Sequence, residues 1–123
     1  MNTQTTYARD ITGTTTEEIS AKLLTDLRHL TTTLNTVNHK REYKYLHRIA
    51  PTTYLATIID TQYNQLTLYP LPADQQLWES ACNPIYGDPI TCDLHKLTDP
   101  EQENDVITYY IELAVETAQM LNS

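Results

Sequence analysis

Glycine is almost missing from this chain of 123 residues, and phenylalanine is missing altogether. Gly13 and Gly87 are the only glycines. Phosphate-cradling loops and dinucleotide fingerprints need several glycines at fixed spacing, so neither is present. Ser20, Ser80 and Ser123 likewise lack the flanking glycines of a nucleophile elbow. Cysteine is scarce too. Cys82 and Cys92 do not make a disulfide framework, and with His95 they form C-x9-C-x2-H, too widely spaced for a structural zinc site. No apolar run approaches the roughly 18 residues of a membrane span. The opening residues, MNTQTTYARD, have neither the basic nor the apolar region of a secretory leader. The expectation is a cytoplasmic protein with reduced thiols and no membrane contact.

Bases are few: eight Lys and Arg stand against sixteen Asp and Glu, for a net charge of −8. This balance disfavours non-specific nucleic-acid binding by the whole molecule. The charge is also unevenly placed. Residues 1–73 hold six acids and seven bases, whereas residues 74–123 hold ten acids and a single base, Lys96. An acidic half of this kind suits docking onto a basic protein surface, with an attraction that salt weakens. Asp99, Glu101, Glu103, Asp105 and Glu112 are the candidate partner-binding residues.

The bases cluster as well. Lys40, Arg41, Lys44 and Arg48 form a basic patch interleaved with Tyr43 and Tyr45. Cations among aromatic rings suit single-stranded nucleic acid. On a strand, however, the tyrosines and the bases Lys44 and Arg48 fall on opposite faces, which turns the rings toward the core. Pairing with acids of the C-terminal half, or of a second copy, is the expected use of these bases.

Threonine (21 residues) and tyrosine (9) are plentiful, and 40% of the chain is hydrophobic. That length and content make one domain. Residues 1–13 show no periodicity and read as a flexible or loosely docked lead-in to a single α+β domain over 14–123. Thr15 and Glu18 fit a capping box. Ile19, Leu23, Leu27, Leu30, Leu34 and Val37 then recur at steps of three and four, which predicts an amphipathic helix over 16–38. The same stripe suits either a core or a homodimer seam. Glu42–Ile49 alternates and carries tyrosines, which suggests a strand, the alternative being that the first helix continues through it. Thr53–Asp60, rich in β-branched and aromatic residues, and the alternating Gln65–Tyr69 read as strands. Residues 61–64 suit a hairpin loop, Pro70 and Pro72 close the meander, and Asp60 reads as a turn residue.

Residues 73–82 read as a short helix. Ile90, Cys92 and Leu94 alternate in a short strand. Asp99-Pro100-Glu101-Gln102 carries a helix start, and the helix runs to Leu121. Its stripe is Ile107, Ile111, Ala114, Ala118 and Leu121, widened by Val106, Tyr110 and Leu113. The predicted architecture is a small antiparallel sheet of three to four strands. It packs against long N-terminal and C-terminal amphipathic helices, with one short helix added. This order of elements, with the small size and the acidity, is similar to class I chaperones of bacterial type III secretion. The similarity covers layout only, and the threonine-rich first helix and the basic 39–48 segment are not part of that pattern.

No spacing assigns a catalytic, metal or cofactor site. The acid pairs Glu101/Glu103 and Asp88/Asp93 lack EF-hand spacing. The sequence reading is a non-enzymatic binding module: an adaptor, a chaperone or an inhibitor, including the immunity or phage anti-defence type. Two alternatives stand beside it. One is a small-ligand or catalytic pocket around Tyr54, Tyr69, Trp78 and Tyr110. The other is single-stranded nucleic-acid binding through residues 39–48.

Overall fold

A computed structural model describes residues 8–37, 39–71, 89–98 and 104–121. In chain order these form β1 (Arg9–Asp10), α1 (Thr16–Leu34), β2 (Glu42–Ala50), β3 (Thr53–Asp60), β4 (Gln65–Leu71), β5 (Ile90–Asp93), the single turn α2 (His95–Thr98) and α3 (Asn104–Leu121). The class is α+β, as expected. The sheet has five strands in the order β1-β2-β3-β4-β5. It is mixed where an antiparallel sheet was predicted, because β1 runs parallel to β2. The other pairs are antiparallel. Two residues of β1 carry no readable period, so its place is set by tertiary contacts. Ile11 is buried beside it, and the Ile11 N–H donates to the Arg48 carbonyl.

Helix α1 begins as its sequence dictates, but only half of the predicted capping box forms. Thr15 Oγ1 accepts from the Glu18 N–H at 3.1 Å, while the Glu18 carboxylate turns to Thr14 N–H and Oγ1. The helix stops at Leu34, short of 38. Asn35 caps it, and the Thr36 and Val37 N–H groups bond to carbonyls only three residues back. This tightened turn swings Val37 outward to 39% exposure. The other five stripe residues are buried in the core of the single chain.

β2 and β3 are joined by the two-residue turn Pro51-Thr52, with Ala50 opposite Thr53. The 61–64 loop forms as expected, with Asp60 Oδ1 accepting from the Gln62 and Tyr63 N–H groups and Asn64 at φ 55°. Such a backbone suits asparagine better than most residues. Strand β4 runs through Pro70 to Leu71, past the predicted end at Tyr69. Among the described residues β5 pairs with Gln65–Leu68 and not with Pro70, and a missing N–H is tolerated where a strand has no neighbour on that side. The predicted 73–82 helix, Trp78, Cys82 and the predicted helix start at 99–102 lie outside the described residues.

Both long helices pack on one face of the sheet. They enclose a core of Leu23, Leu27, Ile49, Leu55, Ile59, Leu66, Leu68, Ile107 and Ile111, all at or near zero exposure. Shortening one of these to Ala costs about 2–5 kcal/mol. Thr16 Oγ1 donates to Gln119 Oε1 near one end of the helix pair, and Leu24 and Ile111 line one cavity farther along. The two helices therefore run antiparallel. The opposite sheet face carries a smaller cluster, Leu46, Ala56 and Leu71, flanked by Tyr54 and Tyr69. Among the described residues, no helix is long and apolar enough to cross a membrane.

Candidate functional site

The stripe of α3 differs from its prediction in a way that exposes a second surface. Ile107, Ile111, Ala114 and Ala118 are fully buried, as expected, and Val115 joins them. Leu113 and Leu121 instead face out, at 38% and 45% exposure. Tyr109 (63%) and Met120 (74%) are still more exposed. Residues 109, 113, 116 and 120 are spaced by four, three and four, so they share one outward line along the helix. Glu116 sits within this line and is exposed, and Glu112 borders it. Tyr109 also meets Tyr110 edge to face, with ring centroids 5.8 Å apart. An apolar line set among carboxylates is the form of a recognition surface, because tyrosine and methionine give large contact area.

Of the predicted partner-binding residues, Asp99, Glu101 and Glu103 lie outside the described residues. Asp105 falls in the first turn of the described α3. Glu112 lines a cavity of ≈140 Å³ between α1 and α3. Glu17 and Ser20 of α1 and Thr108 of α3 share that cavity. Helical periodicity on α1 puts 17, 20 and 24 on one side, but the sequence carries no signal that this side meets α3.

The basic patch divides. Lys40 and Arg41 are exposed in the segment before β2, and the Arg41 guanidinium lies 4.9 Å above the Tyr43 ring. Lys44 and Arg48 lie on β2 with side chains alternating away from Tyr45 and His47, on the sheet face opposite the helices. The sheet thus stands between these two bases and the α3 acids. Tyr43 and Tyr45 pack against the helix-side core, as the alternation predicted. The tyrosines proposed as a pocket are not brought together. Tyr54 and Tyr69 flank the cluster on one sheet face, and Tyr110 packs on the other.

A polar array that the sequence did not reveal runs through β1, α1, β2 and β3. Arg9 donates through Nε and Nη2 to the two carboxylate oxygens of Asp26, at 2.6 and 2.7 Å. His47 Nε2 reaches Asp26 Oδ2 at 2.7 Å, and its Nδ1 lies 3.1 Å from Thr57 Oγ1. Burial disfavours the Asp26 charge, but the Arg9 guanidinium and the His47 ring outweigh it and hold the carboxyl well below the usual range. An ionised carboxylate only accepts, so Nε2 carries the proton. Thr57 and His47 are both completely buried, and both ring nitrogens are engaged. A nucleophile and base need access to substrate, which this pair lacks. The array is a tie across four elements. Its outer end, at Arg9 and Asp26, opens on a groove of ≈880 Å³ between β1 and α1, lined also by Lys22, Thr25 and His29.

Comparison with protein-family models, with curated proteins and with solved structures found no match to this chain.

Proposed function

We propose that the chain is a non-enzymatic, cytosolic protein-binding module that holds a basic segment of a partner on the outer face of α3. Adaptors, chaperones and inhibitors work in this way. The observation that carries the reading is the exposed line Tyr109, Leu113 and Met120, set beside Glu112 and Glu116. Lys96 is the last base in the chain, so the charged side chains of α3 itself are all acidic. Two such faces repel, which favours an unlike, basic partner over a second copy. Apolar contact would supply affinity, and the acids would supply steering that salt screens.

The test compares proteins captured from native lysate by the wild-type chain, by a Tyr109→Asp/Leu113→Asp variant and by a Glu112→Lys/Glu116→Lys variant. A Glu42→Lys variant on the far sheet face is the control. The reading expects a basic protein held by the wild type and the control and lost by both α3 variants, with retention falling as salt rises. Capture that is indifferent to the α3 substitutions overturns it.

The groove beside Arg9 and Asp26 favours a second reading, the binding of a small ligand between β1 and α1. A thermal-shift screen with nucleotides and metabolites tests it, because a ligand that binds only the folded chain must raise its melting temperature.

A further inference from the structure

The cavity between α1 and α3 has a composition that the docking reading does not by itself require. Ser20 is only 4% exposed, lines this cavity, and its Oγ has no hydrogen-bond partner among the described residues. A buried hydroxyl without a partner is costly, so its presence on a cavity wall points to a group that completes it. The other polar lining groups are Thr108 and the carboxylates of Glu17 and Glu112. Neither carboxylate forms an ion pair among the described residues. Leu24 and Ile111 supply apolar wall.

We infer that this cavity receives the side chain of an arginine or lysine from the partner segment, with its charged end between Glu17 and Glu112 and a donor turned to Ser20 Oγ. The inference rests on the docking reading and names the group that is recognised. The mixed lining selects the occupant. Basic side chains have apolar stems and charged tips, which match a lining of leucine, isoleucine and alanine together with two carboxylates. A hard divalent cation wants about six or more oxygen ligands, and three of the seven lining residues, Ala21, Leu24 and Ile111, offer only carbon. The volume of ≈140 Å³ suits one side chain, not a folded element. Glu112 lines the cavity and borders the exposed α3 line, so a segment lying along Tyr109 and Leu113 passes beside the cavity.

The test is a proton–nitrogen NMR titration of the full 15N-labelled chain with Nα-acetyl-arginine amide. Nα-acetyl-citrulline amide and magnesium chloride serve as separate probes. The inference expects saturable shifts at the Ser20, Ala21, Thr108 and Glu112 amides with the arginine probe alone. It expects Glu17→Gln/Glu112→Gln to weaken binding about tenfold or more, the scale of a charge-assisted hydrogen bond. Ser20→Ala, which keeps the carboxylates, weakens it less. Equal shifts with the citrulline probe, equivalent shifts with magnesium, or no local shift with arginine each overturn it. Lysate capture separates the two ideas. A silent titration with capture that still depends on Tyr109 and Leu113 removes the cavity inference alone. Arginine binding with capture indifferent to the α3 face removes the docking reading alone.

Discussion

His47 Nε2 lies 2.7 Å from Asp26 Oδ2, a pairing that joins the sheet to α1 across 21 positions of sequence. Asp26 also receives both donors of the Arg9 fork. Replacing Asp26 by Asn removes the charge to which three hydrogen bonds are directed while nearly keeping its shape. Because the Asp26 side chain is 18% exposed, the loss is set at about 2 kcal/mol, below the full cost of breaking a buried pair. For a domain of this size that lowers the melting temperature by about 8 °C. An unchanged melting curve for Asp26→Asn, followed by circular dichroism, would show that the array holds nothing together.

The same carboxylate gives the stability a pH dependence of known sign. Its folded-state pKa lies below the ordinary aspartate value of about 3.9. Such a group adds stability that is fully present above the unfolded value and is lost as pH falls below it toward the depressed folded value. Asp10 and Glu18 shift in the same direction, each chiefly through hydrogen bonds from a neighbouring threonine. The urea midpoint of the wild type should therefore fall as pH is lowered from about 5 to about 2. In Asp26→Asn this fall should be shallower, and two parallel curves would contradict the assignment.

Neighbouring positions on α3 should respond very differently to truncation. Ile111 is fully buried and Tyr109 is 63% exposed. Ile111→Ala is expected to cost about 2–5 kcal/mol, and Tyr109→Ala at most about 0.5 kcal/mol. Chemical denaturation of the two variants, compared at equal slope, checks this. A comparable loss at Tyr109 would mean that the ring supports the fold, not a partner.

Thr31 supplies a test in the stabilising direction. It is 1% exposed on α1, and its hydroxyl has no hydrogen-bond partner among the described residues. Thr31→Val keeps the shape and removes the unsatisfied group, so the variant should gain up to about 1 kcal/mol. A lower melting temperature would reveal a hydrogen bond to that hydroxyl.

What could be read from the sequence was what is local. The Ile19–Leu34 stripe follows from spacing, β3 from its β-branched and aromatic content and the Asp60 turn from its residue type, and each lies where it was expected. The faces of β2 were legible from its alternation, with the tyrosines inward and Lys44 and Arg48 outward. The outer edge of α3 was not. Periodicity marks an apolar arc, but the sheet decides which part of the arc is covered, so Val115 is buried and Leu113 is not. β1 was missed because two residues have no period, and Arg9, Asp26 and His47 because residues on three separate elements leave no local mark. The cavity at Ser20 was hidden likewise, since it exists only where two helices far apart in sequence meet.

The bond between Thr16 and Gln119 spans 103 residues, whereas β2, β3 and β4 are joined by turns of two and four. Short loops close quickly and cheaply, and long ones close late. The meander is therefore positioned to form first, with the α1–α3 contact as a closing step that needs most of the chain in place. In unfolding the order reverses. The helix seam, which carries the Ser20 cavity and leads to the α3 face, should open before the strands separate, and amide exchange should be faster there than in β3.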